Sequence, residues 1–161
     1  SITSGEIKEA SDEKLMNYVD LLSINLDEAA AAVMLTDNNH ERIVKSAVSL
    51  FKRSNRNIMV AVTGGINGSW CWDGMELHRF PAVKTLAAGT AGAGDAFFSG
   101  LLTGISLGLP LSEAQQFASL LAGLSVTSPD TINKEADRRT LRAFLETSGI
   151  RFCESVYELL D

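Results

Sequence analysis

The stretch from Ala87 to Gly100 reads Ala-Ala-Gly-Thr-Ala-Gly-Ala-Gly-Asp-Ala-Phe-Phe-Ser-Gly, and it restricts the fold more than any other part of the chain. Gly89, Gly92 and Gly94 permit a tight backbone path with positive φ and close approach of a ligand. The apolar run from Ala96 to Leu107 predicts a helix, so the loop feeds a helix N-terminus. Such an end carries unpaired N–H groups and the positive pole of the helix dipole, which together attract anions. Two familiar phosphate motifs fail here. A phosphate loop has Lys and then Ser or Thr after its last glycine, whereas Asp95 and Ala96 stand in those places. The dinucleotide fingerprint fails because Phe97 takes the position of its third glycine. What remains is an anion cradle with a carboxylate at its rim. That pairing suits a base that takes a proton from a hydroxyl while amides hold charge developing on phosphate.

The segments before the loop alternate between strand and helix. Ser11, with Asp12 and Glu13 in the first turn, predicts a short helix through about Val19. Val19 to Asn25 predicts a buried strand, and the alanine-rich Leu26 to Thr36 a helix with Asp27 and Glu28 in its first turn. Asn38 or Asn39 opens a helix to about Arg53, its apolar face made by Ile43, Val44, Ala47, Val48 and Phe51. Ile58 to Thr63 is an apolar run suited to a strand covered on both faces. Strand, helix and strand in this order imply parallel pairing with right-handed crossovers. Gly64, Gly65 and Gly68 then break the chain. Ser69 to Trp72 and Met75 to Phe80 flank Asp73-Gly74 and predict a hairpin. Val83 to Ala87 predicts a short strand leading into the glycine loop. Beyond the loop helix, Ser112 and Gln115 predict a capping box for a helix reaching about Val126. A further helix is expected from about Arg139 to Glu146, closed by Gly149, and a last one in the tail around Val156, Leu159 and Leu160. Gly92, Ala96, Gly100 and Gly104 recur at every fourth residue, a smooth stripe that lets another element pack closely.

The glycine string resembles the signature of the ribokinase (PfkB) family of carbohydrate and nucleoside kinases, Asp-Thr-x-Gly-Ala-Gly-Asp-x-Phe. Thr90, Gly92, Ala93, Gly94, Asp95 and Phe97 match it in register, and Gly89 stands where the family has Asp. The resemblance implies a three-layer αβα ribokinase-like fold with a mostly parallel sheet and a β-hairpin at one edge. It implies Asp95 as catalytic base, with the amides of Gly92, Ala93 and Gly94 facing the transferring phosphoryl group. Two more stretches resemble family motifs. Asn25-Leu26-Asp27-Glu28 is similar to the Asn-x-x-Glu element associated with magnesium and phosphate, which implies Glu28, through water, and Asn25 as the Mg²⁺ cluster. Taken alone, the same residues also read as a strand end followed by ordinary helix-start acids. Thr63-Gly64-Gly65-Ile66-Asn67-Gly68 is similar to the Thr-x-Gly-x-x-Gly turn that contacts ATP, which implies Thr63, Gly65 and Gly68 as nucleotide contacts, and the glycine-string match adds Thr90, Gly92 and Gly94. The implied cofactors are ATP, Mg²⁺ and a monovalent cation near the position of Gly89. The implied acceptor is a sugar or nucleoside bearing a primary hydroxyl.

The matched motifs look like the C-terminal half of a family domain about twice this length. The family's Gly-Gly-x-x-x-Asn element, its β-sheet lid and its Asp-x-Asn-x-Arg element are not found, so the acceptor-binding half has no counterpart here. The chain is therefore read as one α/β domain over residues 1–161, with a catalytically incomplete nucleotide-binding fragment, or a scaffold, as the alternative to a working kinase. An open sheet edge left by a missing half invites self-association into a homo-oligomer.

Composition narrows the rest. The net charge of −6 speaks against a nucleic-acid surface. Cys71 and Cys153 form no CxxC pair, and the first residues lack the apolar core of a secretory leader, so a reducing, cytoplasmic setting is expected. No apolar run is long enough to span a membrane. His40 and His78 have no ligand partner at metal spacing and are expected at the surface. Trp70 and Trp72 alternate along one strand and share one packing face. Cys71 reads as a small apolar residue in the sheet, and Ser99 has no His partner to make it a nucleophile.

Overall fold

A computed structural model of the protein describes residues 15–161. The helix start expected at Ser11, with Asp12 and Glu13, lies outside the described residues. The chain divides into two compact units. Among the described residues, one comprises residues 15–64 and 70–79, the other residues 65–69 and 80–161.

The first unit opens, within the described residues, on a 3-10 turn at Leu15–Tyr18 and continues into strand β1, Leu21–Asn25. Helix α1 (Leu26–Ala32), helix α2 (His40–Ser54) and strand β2 (Met59–Thr63) follow. Strands β3 (Ser69–Trp72) and β4 (Leu77–Phe80) complete a sheet of order β1-β2-β3-β4 and lie in this unit except for Ser69 and Phe80. β1 and β2 pair in parallel, with Leu21 opposite Met59 at one end and Asn25 opposite Thr63 at the other. The β3–β4 hairpin is turned by Asp73, whose Oδ1 accepts the Met75 and Glu76 N–H groups at 2.8 and 2.7 Å, while Gly74 takes φ 101°. The parallel pair with a hairpin at the sheet edge is the arrangement the sequence predicts.

α2 forms because its ends and its face agree. Asn39 caps it through Oδ1, which accepts the Arg42 N–H at 3.0 Å, and Lys52 and Arg53 sit in the last turn, where the dipole favours cations. Its apolar positions Ile43, Val44, Ala47, Val48 and Phe51 are all buried, in one core with Leu22, Ile24, Val60 and Val62 of the sheet. Trp70 and Trp72 both pack on this core, as their alternation implies. α1 is shorter than expected, ending at Ala32 rather than Thr36. Met34 takes φ 54°, and the Met34 and Leu35 N–H groups reach back to Ala31 and Ala30 carbonyls at 3.1 and 3.0 Å. That is a Schellman closure, and it stops the helix despite favourable propensity on either side.

The second unit holds helices α3 (Ala93–Ser106), α4 (Leu111–Ser125), α5 (Arg138–Thr147) and α6 (Glu154–Glu158). The small-residue stripe of α3 meets α4. A Cβ added at Gly100 would lie 2.8 Å from Ala118 Cα, and one at Gly104 would lie 2.8 Å from Ala114 Cβ. Phe80, Val83, Leu120, Leu145, Phe152 and Val156 anchor the core of this unit. Three expectations are corrected. α3 starts at Ala93, not Ala96, so Gly94 and Asp95 belong to its first turn. Val83 to Ala87 forms no strand; beyond it the Ala88 N–H donates to the Val126 carbonyl at 2.8 Å. The capping box of Ser112 and Gln115 does not form. Pro110 is the N-cap without a side-chain bond, and Gln115 turns into the core at 1% exposure. The box that does form opens α5, between Asp137 and Thr140.

Candidate functional site

In the first unit, parallel pairing brings two of the expected elements side by side. Asn25 and Thr63 are register partners at the carboxyl ends of β1 and β2, where α/β sheets present ligands. Asn25 ends its strand and caps α1 in one step. Its Oδ1 accepts the Glu28 N–H at 2.8 Å, and the Glu28 Oε2 accepts the Asn25 N–H at 2.8 Å. This reciprocal box explains Asn and Glu at that spacing by local geometry alone. It also orients the half-buried Glu28, leaving its Oε1 outside the box. Among the described residues, no three His, Cys, Asp or Glu side chains gather as a metal cage.

The second unit carries the two glycine segments. The turn after β2 makes a 3-10 loop at Gly65–Asn67, closed by the Gly68 N–H on the Gly65 carbonyl at 3.0 Å. Gly68 is required on two counts. It takes φ 88°, and a Cβ there would overlap the Phe80 carbonyl oxygen and stand 3.0 Å from the Ala82 nitrogen. Ser69, next in the chain, is buried and is held by Gln115.

The loop before α3 is clamped by the segment that follows α4. The Ala88 and Gly89 N–H groups donate to the Val126 carbonyl at 2.8 and 3.3 Å. A Cβ at Gly89 would stand 3.1 Å from the Ser128 carbonyl oxygen and 3.2 Å from that of Pro129. A carboxylate carried there would therefore face carbonyl oxygens. Gly92 is the N-cap of α3 in the left-handed region, φ 81° and ψ −6°. A Cβ on it would overlap the Thr131 carbonyl oxygen. The Ala93 N–H closes the turn on the Thr90 carbonyl at 3.3 Å. The Gly94 and Asp95 N–H groups, at the second and third helical positions, have no partner among the described residues, as at any helix start without a capping side chain. Space around Gly94 is open: a Cβ there would meet nothing within 4 Å. Asp95 is exposed, with no hydrogen bond or ion pair among the described residues. The cradle thus holds free donors and a free carboxylate within one helical turn.

The remaining candidates fall into structural roles. His40 and His78 are both partly exposed, His40 edge-on to Trp70 at 6.3 Å between ring centroids and His78 paired with Asp73 at 2.8 Å. Cys71 is fully buried, and burial pushes its thiol well up. The sequence reading missed Ser119 and Thr131 and gave Gln115 a capping role instead of a place in the core. For Gln115 a signal existed, since it sits between Ala114 and Phe117–Ala118 on an otherwise apolar helix face.

A sheet presenting Asn25 and Thr63 at its carboxyl edge, with a glycine-opened helix elsewhere in the chain, belongs to the ribokinase-like α/β class. A putative sugar kinase from Clostridium perfringens superposes with a TM-score of 0.76 at 21% identity, covering 89% of this chain and 44% of that one. A putative ribokinase II from E. coli in complex with ATP and Mg²⁺ superposes with a TM-score of 0.69 at 20% identity, covering 89% of this chain and 45% of that one. The chain itself belongs to the pfkB family of carbohydrate kinases, whose model matches residues 3–138. The ribokinase of Lactococcus lactis is 30% identical over 116 residues, which cover 72% of this chain and 35% of that protein. The chain spans 21–35% of the length of the curated relatives it matches.

Proposed function

We propose that the chain is the nucleotide-binding and catalytic part of a kinase that moves the γ-phosphoryl group of ATP to a primary hydroxyl of a sugar or nucleoside. The observation that carries this reading is the first turn of α3. Gly92 opens it in a left-handed conformation, unpaired amides follow, and the exposed Asp95 carboxylate stands beside them. Asp95 accepts the proton of the attacking hydroxyl as its oxygen bonds to phosphorus and the bond to the β-phosphate oxygen breaks, releasing ADP. The amides of Gly92 and Gly94 hold charge on the phosphoryl oxygens, with Ala93 fixing the turn that aims them. Thr63, Gly65, Gly68 and Thr90 contact the rest of the nucleotide. Family membership supports phosphoryl transfer to a small alcohol in general.

The residues fit a magnesium ion held with the nucleotide. Mg²⁺ keeps several waters and takes one or two carboxylates plus phosphate oxygens, so Glu28, oriented by Asn25, is an adequate protein contribution. The ion supplies charge neutralisation at the phosphates. A monovalent cation fits less well, because position 89 brings no carboxylate.

Asp95→Asn, in a protein that also carries an acceptor-binding part, is expected to lower turnover on sugars and nucleosides by about 10²-fold or more. Calorimetric affinity for Mg–ATP should stay within about twofold. An unchanged rate would sink the base assignment.

The coverage of 21–35% of relatives favours a second reading, in which these residues alone bind nucleotide and phosphorylate nothing. A coupled assay over a panel of sugars and nucleosides, run beside an Mg–ATP titration, separates the two. Turnover on any acceptor by the 161-residue chain rejects the fragment reading.

A further inference from the structure

Gln115 occupies a place where an apolar residue is the ordinary choice. It lies on the packed face of α4 and is 1% exposed. A buried amide is costly unless its polar atoms are paired, so its partners explain its presence. Nε2 donates to the Ser69 carbonyl at 3.0 Å and to the Ser69 hydroxyl at 3.0 Å. A carbonyl oxygen only accepts, which decides which end of the amide faces it. The Ser69 hydroxyl lies 3.3 Å from that of Ser119, and the Ser119 hydroxyl donates to the backbone carbonyl of Gln115 at 2.8 Å. Ser69 and Ser119 are buried as well, so the cluster is closed to water.

Ser69 is the residue that ends the Gly65–Gly68 turn. The same helix that holds it leads, one residue past its end, to Val126, whose carbonyl holds the glycine loop through Ala88 and Gly89. The two anchors, Gln115 and Val126, are roughly 16 Å apart along the α4 axis at 1.5 Å per residue. Both glycine segments of this unit are therefore tied to one rigid rod. We propose that Gln115 is a positioning residue: its amide fixes the Gly65–Ser69 turn at a set distance from the glycine loop, so that one nucleotide meets both. This rests on the reading of Gly65 and Gly68 as nucleotide contacts. Without the amide, the Ser69 carbonyl loses its Gln115 donor in the core and the hydroxyl keeps only Ser119, so the turn shifts to find another donor.

The test uses the 161-residue chain. Gln115→Met keeps the volume and removes the donor. Leu120→Val, fully buried on the same helix, serves as a control that loosens packing without touching Ser69. Calorimetric titration with Mg–ATP is read beside the backbone amide resonances of Gly65, Gly68 and Ser69. Gln115→Met is expected to raise the Kd about three- to tenfold and to shift those resonances. Leu120→Val should lower the unfolding midpoint while leaving the Kd unchanged. Ser69→Ala removes one acceptor and gives a smaller rise in the same direction, which serves if Gln115→Met does not fold. A Gln115→Met chain with the wild-type Kd and unmoved turn resonances overturns the role of Gln115 while sparing the nucleotide site. A wild-type chain with no affinity for Mg–ATP overturns the nucleotide reading itself, and the role with it.

Discussion

Gly92 and Gly94 stand two residues apart in the same signature, yet the structure asks opposite things of them. Gly92→Ala places a side chain at φ 81°. The left-handed region costs an L-residue roughly 1–2 kcal/mol. The new methyl would also overlap the Thr131 carbonyl oxygen and stand 3.0 Å from Thr131 Cγ2. Backbone cannot rotate aside as a side chain can, and forced overpacking typically costs about 1–3 kcal/mol. The two sum to about 2–5 kcal/mol, a large part of an ordinary domain's stability. Gly94→Ala meets nothing within 4 Å and lies in the helix, outside the left-handed region. It gains helix propensity, up to about 0.5–1 kcal/mol. Urea unfolding followed by circular dichroism checks the pair. At a slope of about 1–3 kcal/mol per molar urea, Gly92→Ala should lower the midpoint by on the order of 1–2 M, and Gly94→Ala should hold or raise it.

Nucleotide affinity supplies an independent arm. In the proposed nucleotide site, phosphate oxygens would approach the amides at the open rim of Gly94, so a methyl there would obstruct the ligand while steadying the helix. Gly94→Ala is accordingly expected to bind Mg–ATP more weakly by about tenfold, a loss of about 1.4 kcal/mol, although it unfolds no more easily. A Gly92→Ala chain within about 0.5 kcal/mol of wild type would refute the clamp by Thr131, since ordinary surface substitutions fall in that range. Equal stability changes in the two variants would refute it too.

Two further outcomes follow from local geometry. Met34 is exposed and holds φ 54° at the end of α1, so Met34→Gly removes left-handed strain at the cost of a more flexible unfolded chain. Thermal unfolding should show a net gain of about 0.5–1 kcal/mol, and a loss would contradict the strain. Asp73 is held down to about 2 although burial pushes it up, because it accepts hydrogen bonds from the Glu76 N–H, His78 and the Met75 N–H. A carboxylate depressed in the folded state stabilises above its unfolded value and loses that contribution as pH falls through its folded value. Asp73→Asn should therefore flatten the acid limb of the stability curve between its ordinary value of 3.8 and about 2, and an unchanged limb would deny the hairpin carboxylate that role.

What was legible in the chain beforehand was what neighbouring residues decide among themselves. Asn39 with the apolar face of α2, Asp73-Gly74 with its hairpin, and the small stripe from Gly92 to Gly104 each carry their instruction within a few turns. The first two stand in the structure as read, and of the stripe Gly100 and Gly104 pack against α4 while Gly92 caps the helix against Thr131. Asn25 and Glu28 show the limit of such reading. The same two residues satisfy a capping box and match a family motif, so spacing alone does not separate the roles. Where the reading failed, the deciding partner was distant or conformational. Gln115 sits three residues after Ser112 and imitates a capping box, but its partner is Ser69, 46 residues away, and pairing inside the core outweighs a cap. α1 ends early because Met34 adopts a conformation that its side chain does not advertise. Gly89, the departure from the family signature, follows the same logic. Its Cβ position faces the Ser128 and Pro129 carbonyl oxygens at 3.1 and 3.2 Å. A carboxylate there would be repelled by those oxygens unless a cation lay between them. Glycine removes the repulsion and lets the two backbones close on each other, so this loop is held by the Val126 carbonyl and the fit against residues 128–131 rather than by a charged side chain.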